Sequence, residues 1–139
     1  MSSQQAYQKK LFFIGAVYNW AAAILFVALY CFSHEHLALL VKIPEQTVWF
    51  FCTFMAVSIF GLGYYFIYRD VERNRDLITL GCLGKALFFL IFFIYWQKGD
   101  ISALAFALAS GDAIFAMLFA QVLYTLKRIE PKGPISDSQ

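Results

Sequence analysis

"GCLGKALFFLIFFIYW" (residues 81–96) is apolar enough to lie in hydrocarbon along nearly its whole length, yet it carries Lys85. An ammonium group there demands a partner, because a lone charge at the centre of a bilayer costs about 2.5–3.5 kcal/mol on insertion scales. The run belongs to a longer one, Leu77–Trp96, and three more resemble it: Leu11–Phe32, Thr47–Tyr68 and Ile101–Leu126. Each has at least 20 residues, and about 20 helical residues cross a hydrocarbon core of roughly 30 Å. Spanning strands would need only about 9–11 residues and alternating polarity, which these runs lack.

Composition agrees. Of 139 residues, 61% are hydrophobic and 14% charged, and the mean hydropathy is +0.65. A soluble domain is about 45–50% apolar and about 25% charged. The expected fold is an all-α integral membrane protein, a four-transmembrane-helix bundle with antiparallel neighbours. Residues 1–126 make one membrane domain, with spans at 11–32, 47–68, 77–96 and 101–126. Residues 127–139, rich in proline and polar side chains, make a tail expected to be disordered. The first run is longer than the apolar region of a secretory signal, about 7–15 residues, and is expected to be retained.

Cation placement sets an expected orientation. Lys9, Lys10, Arg69, Arg73, Arg75, Lys127, Arg128 and Lys132 fall at one end of the runs, while Lys42 and Lys98 fall at the other. Eight against two predicts both termini on the cytoplasmic side of a multi-pass protein. Tyr30, Trp49, Tyr95 and Trp96 then mark the outer interface, and Tyr65, Tyr68 and Tyr124 the inner one. No basic patch points to nucleic acid.

The connections are short. "SHEHLALLVKIPEQ" (33–46) predicts an interfacial helix through Leu37, Leu39, Leu40, Val41 and Ile43, stopped by Pro44. His34 and His36 flank Glu35 without the spacing of a helical metal site. "RDVERNRD" (69–76) has six charged residues in eight and no net charge. Asn74 or Asp76 is expected to cap the third span, and Arg69, Arg73 and Arg75 are candidate contacts for anionic lipid headgroups or a cytoplasmic partner. Cys31, Cys52 and Cys82 form no C-x-x-C pair. They read as small packing residues, with a disulfide between Cys31 and Cys52 left open.

Lys85 finds its partner by register. The turn "QKGD" (97–100) makes spans three and four a hairpin, in which residues numbered to a sum near 197 lie at equal depth. Lys85 meets Asp112 by that rule, each roughly 13 residues, or roughly 20 Å, from the turn. Ala105, Ala109, Asp112, Ala116 and Ala120 recur at helical spacing, and Gly81 and Gly84 adjoin Lys85, so the backbones are expected to approach closely. Asn19 lies at matching depth in span one, beside Gly15, Ala22 and Ala23. Span two offers Gly61 and Gly63, with Ser58 and Tyr64 nearby. The expected polar centre is therefore Asn19, Lys85 and Asp112, walled by small residues.

"RDVERNRDLITLGCLGK", with a short outer turn and a fourth span holding a mid-membrane aspartate, resembles a type of small four-helix bacterial inner-membrane protein bearing R-D-x-x-R-N-R and then G-x-x-G-K. The resemblance covers roughly residues 61–126. It implies a bacterial cytoplasmic membrane and the same hairpin, and supplies no activity. In size and span count the chain is also similar to small multidrug transporters. Those depend on a glutamate in the first span, where this sequence has Asn19.

Two functions follow. The leading expectation is a non-enzymatic accessory or assembling subunit whose helix register is fixed by the Lys85–Asp112 pair. The alternative is a small oligomeric transporter, or a lipid- or ion-handling protein, that uses the polar centre. An enzyme ranks third, since no nucleophile–base pair, metal-ligand cluster or cofactor motif stands out. No catalytic residue, metal or cofactor is assigned. The implied partners are the lipid bilayer, further copies of the chain or a larger membrane complex.

Overall fold

The computed structural model describes residues 3–43 and 45–129. They form α1 (Ser3–Phe32), α2 (His34–Leu40), α3 (Thr47–Arg69), α4 (Arg75–Gln97) and α5 (Ala103–Ile129). All but α2 are long and apolar enough to cross a membrane. The helices exceed the apolar runs because their flanks also favour helix. The glutamines, alanine and lysines of "SQQAYQKK" extend α1 back to Ser3. Lys127 and Arg128 complete the last turn of α5, where cations suit the helix dipole. That helix runs three residues past the expected boundary at 126. The remaining tail, from 130, lies outside the described residues.

Consecutive long helices run antiparallel. Phe13 meets Tyr68, Phe26 meets Phe54 and Tyr30 meets Phe50, so α1 and α3 ascend against each other. On α4 and α5, Phe93 meets Phe106 while the Cys82 thiol reaches Ala116 O at 3.3 Å. Between α3 and α4, Tyr64 lies over Gly81 and Phe60 over Gly84. These pairings define a near end, where α1 and α4 start and α3 and α5 finish, and a far end that holds α2.

The near half is filled with side chains. Phe12, Ile67, Ile78 and Phe119 are fully buried there, with Tyr64, Val122 and Leu126 around them. Two glycines make the fit possible. A Cβ on Gly61 would stand 2.6 Å from Trp20 Nε1, and one on Gly81 would stand 2.6 Å from Tyr64 Cε1. Each aromatic ring therefore occupies the space that a side chain would need. The Trp20 indole N–H also donates to Ser58 O at 3.2 Å.

Several expectations are corrected. Gly63 is not a packing residue: a Cβ there would meet nothing within 4 Å. Two residues on from Gly61 is about 200° round a helix of 3.6 residues per turn. Ala120 is exposed, and the buried stripe of α5 continues through Phe119, Val122 and Leu126 instead. Successive steps of three rotate the stripe backwards round the helix, away from position 120. Asn74 holds the N-cap position of α4, its carbonyl accepting from Ile78 N–H at 3.1 Å, but its side chain makes no cap bond there. Its Nδ2 donates instead to Asp70 O at 2.7 Å and Phe66 O at 3.3 Å, closing the carbonyl end of α3.

At the far end the two connections join. Helix α2 stops at Leu40, because Val41 is extended and pairs antiparallel with Ile101. Ser102 N–H donates to Leu40 O at 3.2 Å, and Lys42 forms an ion pair with Asp100. Pro44, expected to end α2, lies outside the described residues. Gly99, at φ 77°, makes the turn after α4. The apolar run from Ile101 becomes helix only at Ala103, since Ser102 acts as a cap: its Oγ accepts from Ala105 N–H at 3.2 Å.

Candidate functional site

Lys85, Asp112 and Asn19 are all buried, at 4%, 7% and 6% exposure. The turn register brings the first two together. Lys85 Nζ and Asp112 Oδ1 form a salt bridge between α4 and α5. A second ammonium N–H donates to Asn19 Oδ1 at 2.9 Å. Asn19 Nδ2 donates in turn to Val57 O at 3.1 Å, so this one side chain links α1, α3 and α4. Among the described residues, no buried side-chain nitrogen or oxygen lacks a hydrogen-bond partner.

Aromatic rings enclose the ammonium. Its nitrogen lies 5.1 Å from the Phe115 ring centre, 5.2 Å from Tyr18 and 5.4 Å from Tyr64. Ring faces attract a cation, and the effect grows when water is excluded. The Tyr18 hydroxyl donates to Leu108 O at 2.6 Å, passing over the bare face of Gly111. Sequence reasoning missed Tyr18 and Phe115. The available signal was position, since Tyr18 adjoins Asn19 and Phe115 is one turn from Asp112.

Gly15, Gly61, Gly81 and Gly84 each lie where an added Cβ would touch an aromatic ring. Ala105, Ala109 and Ala116 are buried. Ala105 and Ala109 also line a cavity of about 510 Å³. It runs from Asn19, Lys85 and Asp112 at its floor to Val41, Lys42 and Trp49 at the far end, with α1, α3, α4 and α5 all contributing walls. Pockets for small molecules commonly span roughly 300–1,000 Å³ and combine apolar walls with a few convergent polar groups. This one has that composition.

The remaining candidates lie apart from it. Arg69 and Arg73 are exposed at the near end, and Arg75 is half-buried there. Arg69 lines a smaller cleft of about 300 Å³ with Lys9, Asp70 and Glu72, in which charges of both signs balance. Cys31 and Cys52 are free and exposed, so they neither pair nor pack, while Cys82 is free and half-buried. His36 Nδ1 is hydrogen-bonded to Ser33 Oγ. Among the described residues, no three His, Cys, Asp or Glu side chains gather to hold a metal ion.

The site offers polar contacts within an apolar enclosure. Lys85 has three N–H donors and uses two of them. The ammonium and carboxylate cancel, leaving a neutral floor with one ammonium N–H not taken up by an oxygen. Set against family models, curated proteins and solved structures, the chain matches none.

Proposed function

We propose that this chain is a ligand-handling protein of a bacterial cytoplasmic membrane, a four-helix bundle with both termini on the cytoplasmic side. The orientation rests on seven described cations at the near end, with Lys132 beyond them in the sequence, against Lys42 and Lys98 at the far end. Reporter fusions at either terminus should therefore read as cytoplasmic, and an external reading overturns the orientation. In this arrangement the cavity lies in the outer half of the membrane and its polar floor near the middle. Arg69, Arg73 and Arg75 then face the anionic headgroups of the inner leaflet.

The observation that carries the ligand-handling reading is the cavity itself. A Lys–Asp pair needed only for register needs no cavity beside it, whereas Lys85 and Asp112, although buried, also line an open space. The protein purified in mild detergent should carry a lipophilic small molecule in near-equal amount, extractable and countable by mass spectrometry. Ala109→Phe, which fills the cavity wall, should carry none. Equal recovery from both, or from neither, overturns the reading.

One observation favours the accessory-subunit reading, in which the pair only sets register: among the described residues, every buried side-chain nitrogen and oxygen already has a partner. Copurification with a single larger membrane complex, retained when Lys85 and Asp112 are both made apolar, supports that reading.

A further inference from the structure

The charge, lining and depth of the cavity together narrow its ligand. The floor is neutral as built, because Lys85 and Asp112 are paired. An anionic ligand bound to Lys85 would leave Asp112 uncompensated, and a cationic ligand bound to Asp112 would leave Lys85 so. Either adds an unpaired charge deep in hydrocarbon, which costs on the order of a hundredfold in affinity. The Lys85 N–H that bonds neither Asp112 nor Asn19 has only ring faces near it, and an uncharged oxygen gives it an acceptor without disturbing the pair.

The walls specify the rest. Phe26 and Phe54, stacked at 5.0 Å between centroids, and Phe88 and Phe92, stacked at 4.7 Å, all line the cavity, so much of its wall is aromatic. Rings favour flat, polarisable partners in offset or edge contact. From Asn19 to Phe26 the cavity rises about two helical turns, or roughly 10 Å, which leaves an apolar channel beyond the floor for a chain. Resting on the ligand-handling reading above, we infer that the cavity binds an uncharged lipophilic carbonyl compound of the quinone kind, one oxygen on Lys85, its ring against the aromatic wall near the floor and its chain toward Phe26 and Phe54.

The test uses three probes with the same decyl tail and different heads: a decyl-substituted benzoquinone, decanoate and decyltrimethylammonium. Each is titrated into the full-length protein in detergent, with thermal unfolding and quenching of tryptophan fluorescence as readouts (Trp49 lines the cavity). The quinone should stabilise the protein saturably and bind at least about tenfold more tightly than either ion. Ala109→Phe should lose that stabilisation, and so should the charge-free variant Lys85→Met with Asp112→Leu. Stabilisation of Ala109→Phe equal to the parent's places the quinone outside the cavity and overturns the inference. Undiminished binding to the charge-free variant overturns the contact with Lys85. Preference for decanoate or the ammonium overturns the ligand class while leaving the ligand-handling reading in place. No saturable response to any of the three overturns both.

Discussion

The near and far halves of this protein are built from the same apolar vocabulary and come out opposite. In the near half, Phe12, Ile67, Ile78 and Phe119 have no exposed surface, and glycines admit aromatic rings against bare backbone. In the far half, Phe26, Phe54 and Phe88 stand round an open cavity. Lys85, Asp112 and Asn19 sit on the border. Burial from water does not distinguish the halves, because lipid is as apolar as leucine. The difference lies in packing: one half gains van der Waals contact between helices, and the other gives it up for space.

The sharpest way to break this comparison is to open the border. Asp112→Asn or Lys85→Met should each destabilise the protein in detergent by about 3–5 kcal/mol, by leaving one buried charge unpaired. The double variant Lys85→Met with Asp112→Leu should recover most of that loss, and a four-member thermal-unfolding cycle measures it. A coupling energy near zero would mean that the pair contributes nothing to stability.

Next comes the contrast of two phenylalanines. Phe119→Ala empties a packed site and should cost about 2 kcal/mol or more, largely through the cavity it creates. Phe88→Ala enlarges a space that already exists and should cost well under half as much. Equal losses would erase the distinction between the halves.

Glycines give a smaller and more local contrast. Gly81→Ala drives a methyl into the Tyr64 ring and should cost about 1–3 kcal/mol. Gly63→Ala meets open space and should stabilise α3 by up to about 1 kcal/mol through helix propensity. The smallest effect is expected at the far connections. Lys42→Ala should change stability by at most about 1 kcal/mol, because Lys42 is largely exposed, and the change should vanish at high salt.

How much of this was legible beforehand depended on whether local spacing sufficed. The spans were legible because length and apolarity are local properties. So was the Lys85–Asp112 pair, because a four-residue turn leaves little freedom in a hairpin's register. Asn19 could be placed by depth alone. The cavity could not be read, since it depends on how far Phe60 and Tyr64 hold α3 from α4. The alanines of α5 have the same spacing whether they touch a helix or face a void. Asn74 stands at the start of α4 as its spacing suggests, but its side chain serves the end of α3, because capping geometry depends on how the connection folds back. The join between Val41 and Ile101 links stretches with no pattern in common.

Both members of the salt bridge belong to one hairpin, 27 residues apart along the chain. That spacing bears on how the protein is made. During synthesis α4 enters the bilayer with its lysine only shortly before α5 brings the aspartate, and α1 has already carried Asn19 into place. The second hairpin can therefore be handed from the insertion machinery to lipid as an electrically silent unit, its two ions already matched within the same few seconds of translation. The first hairpin, which carries no ionised group at that depth, is free to insert ahead of it and wait.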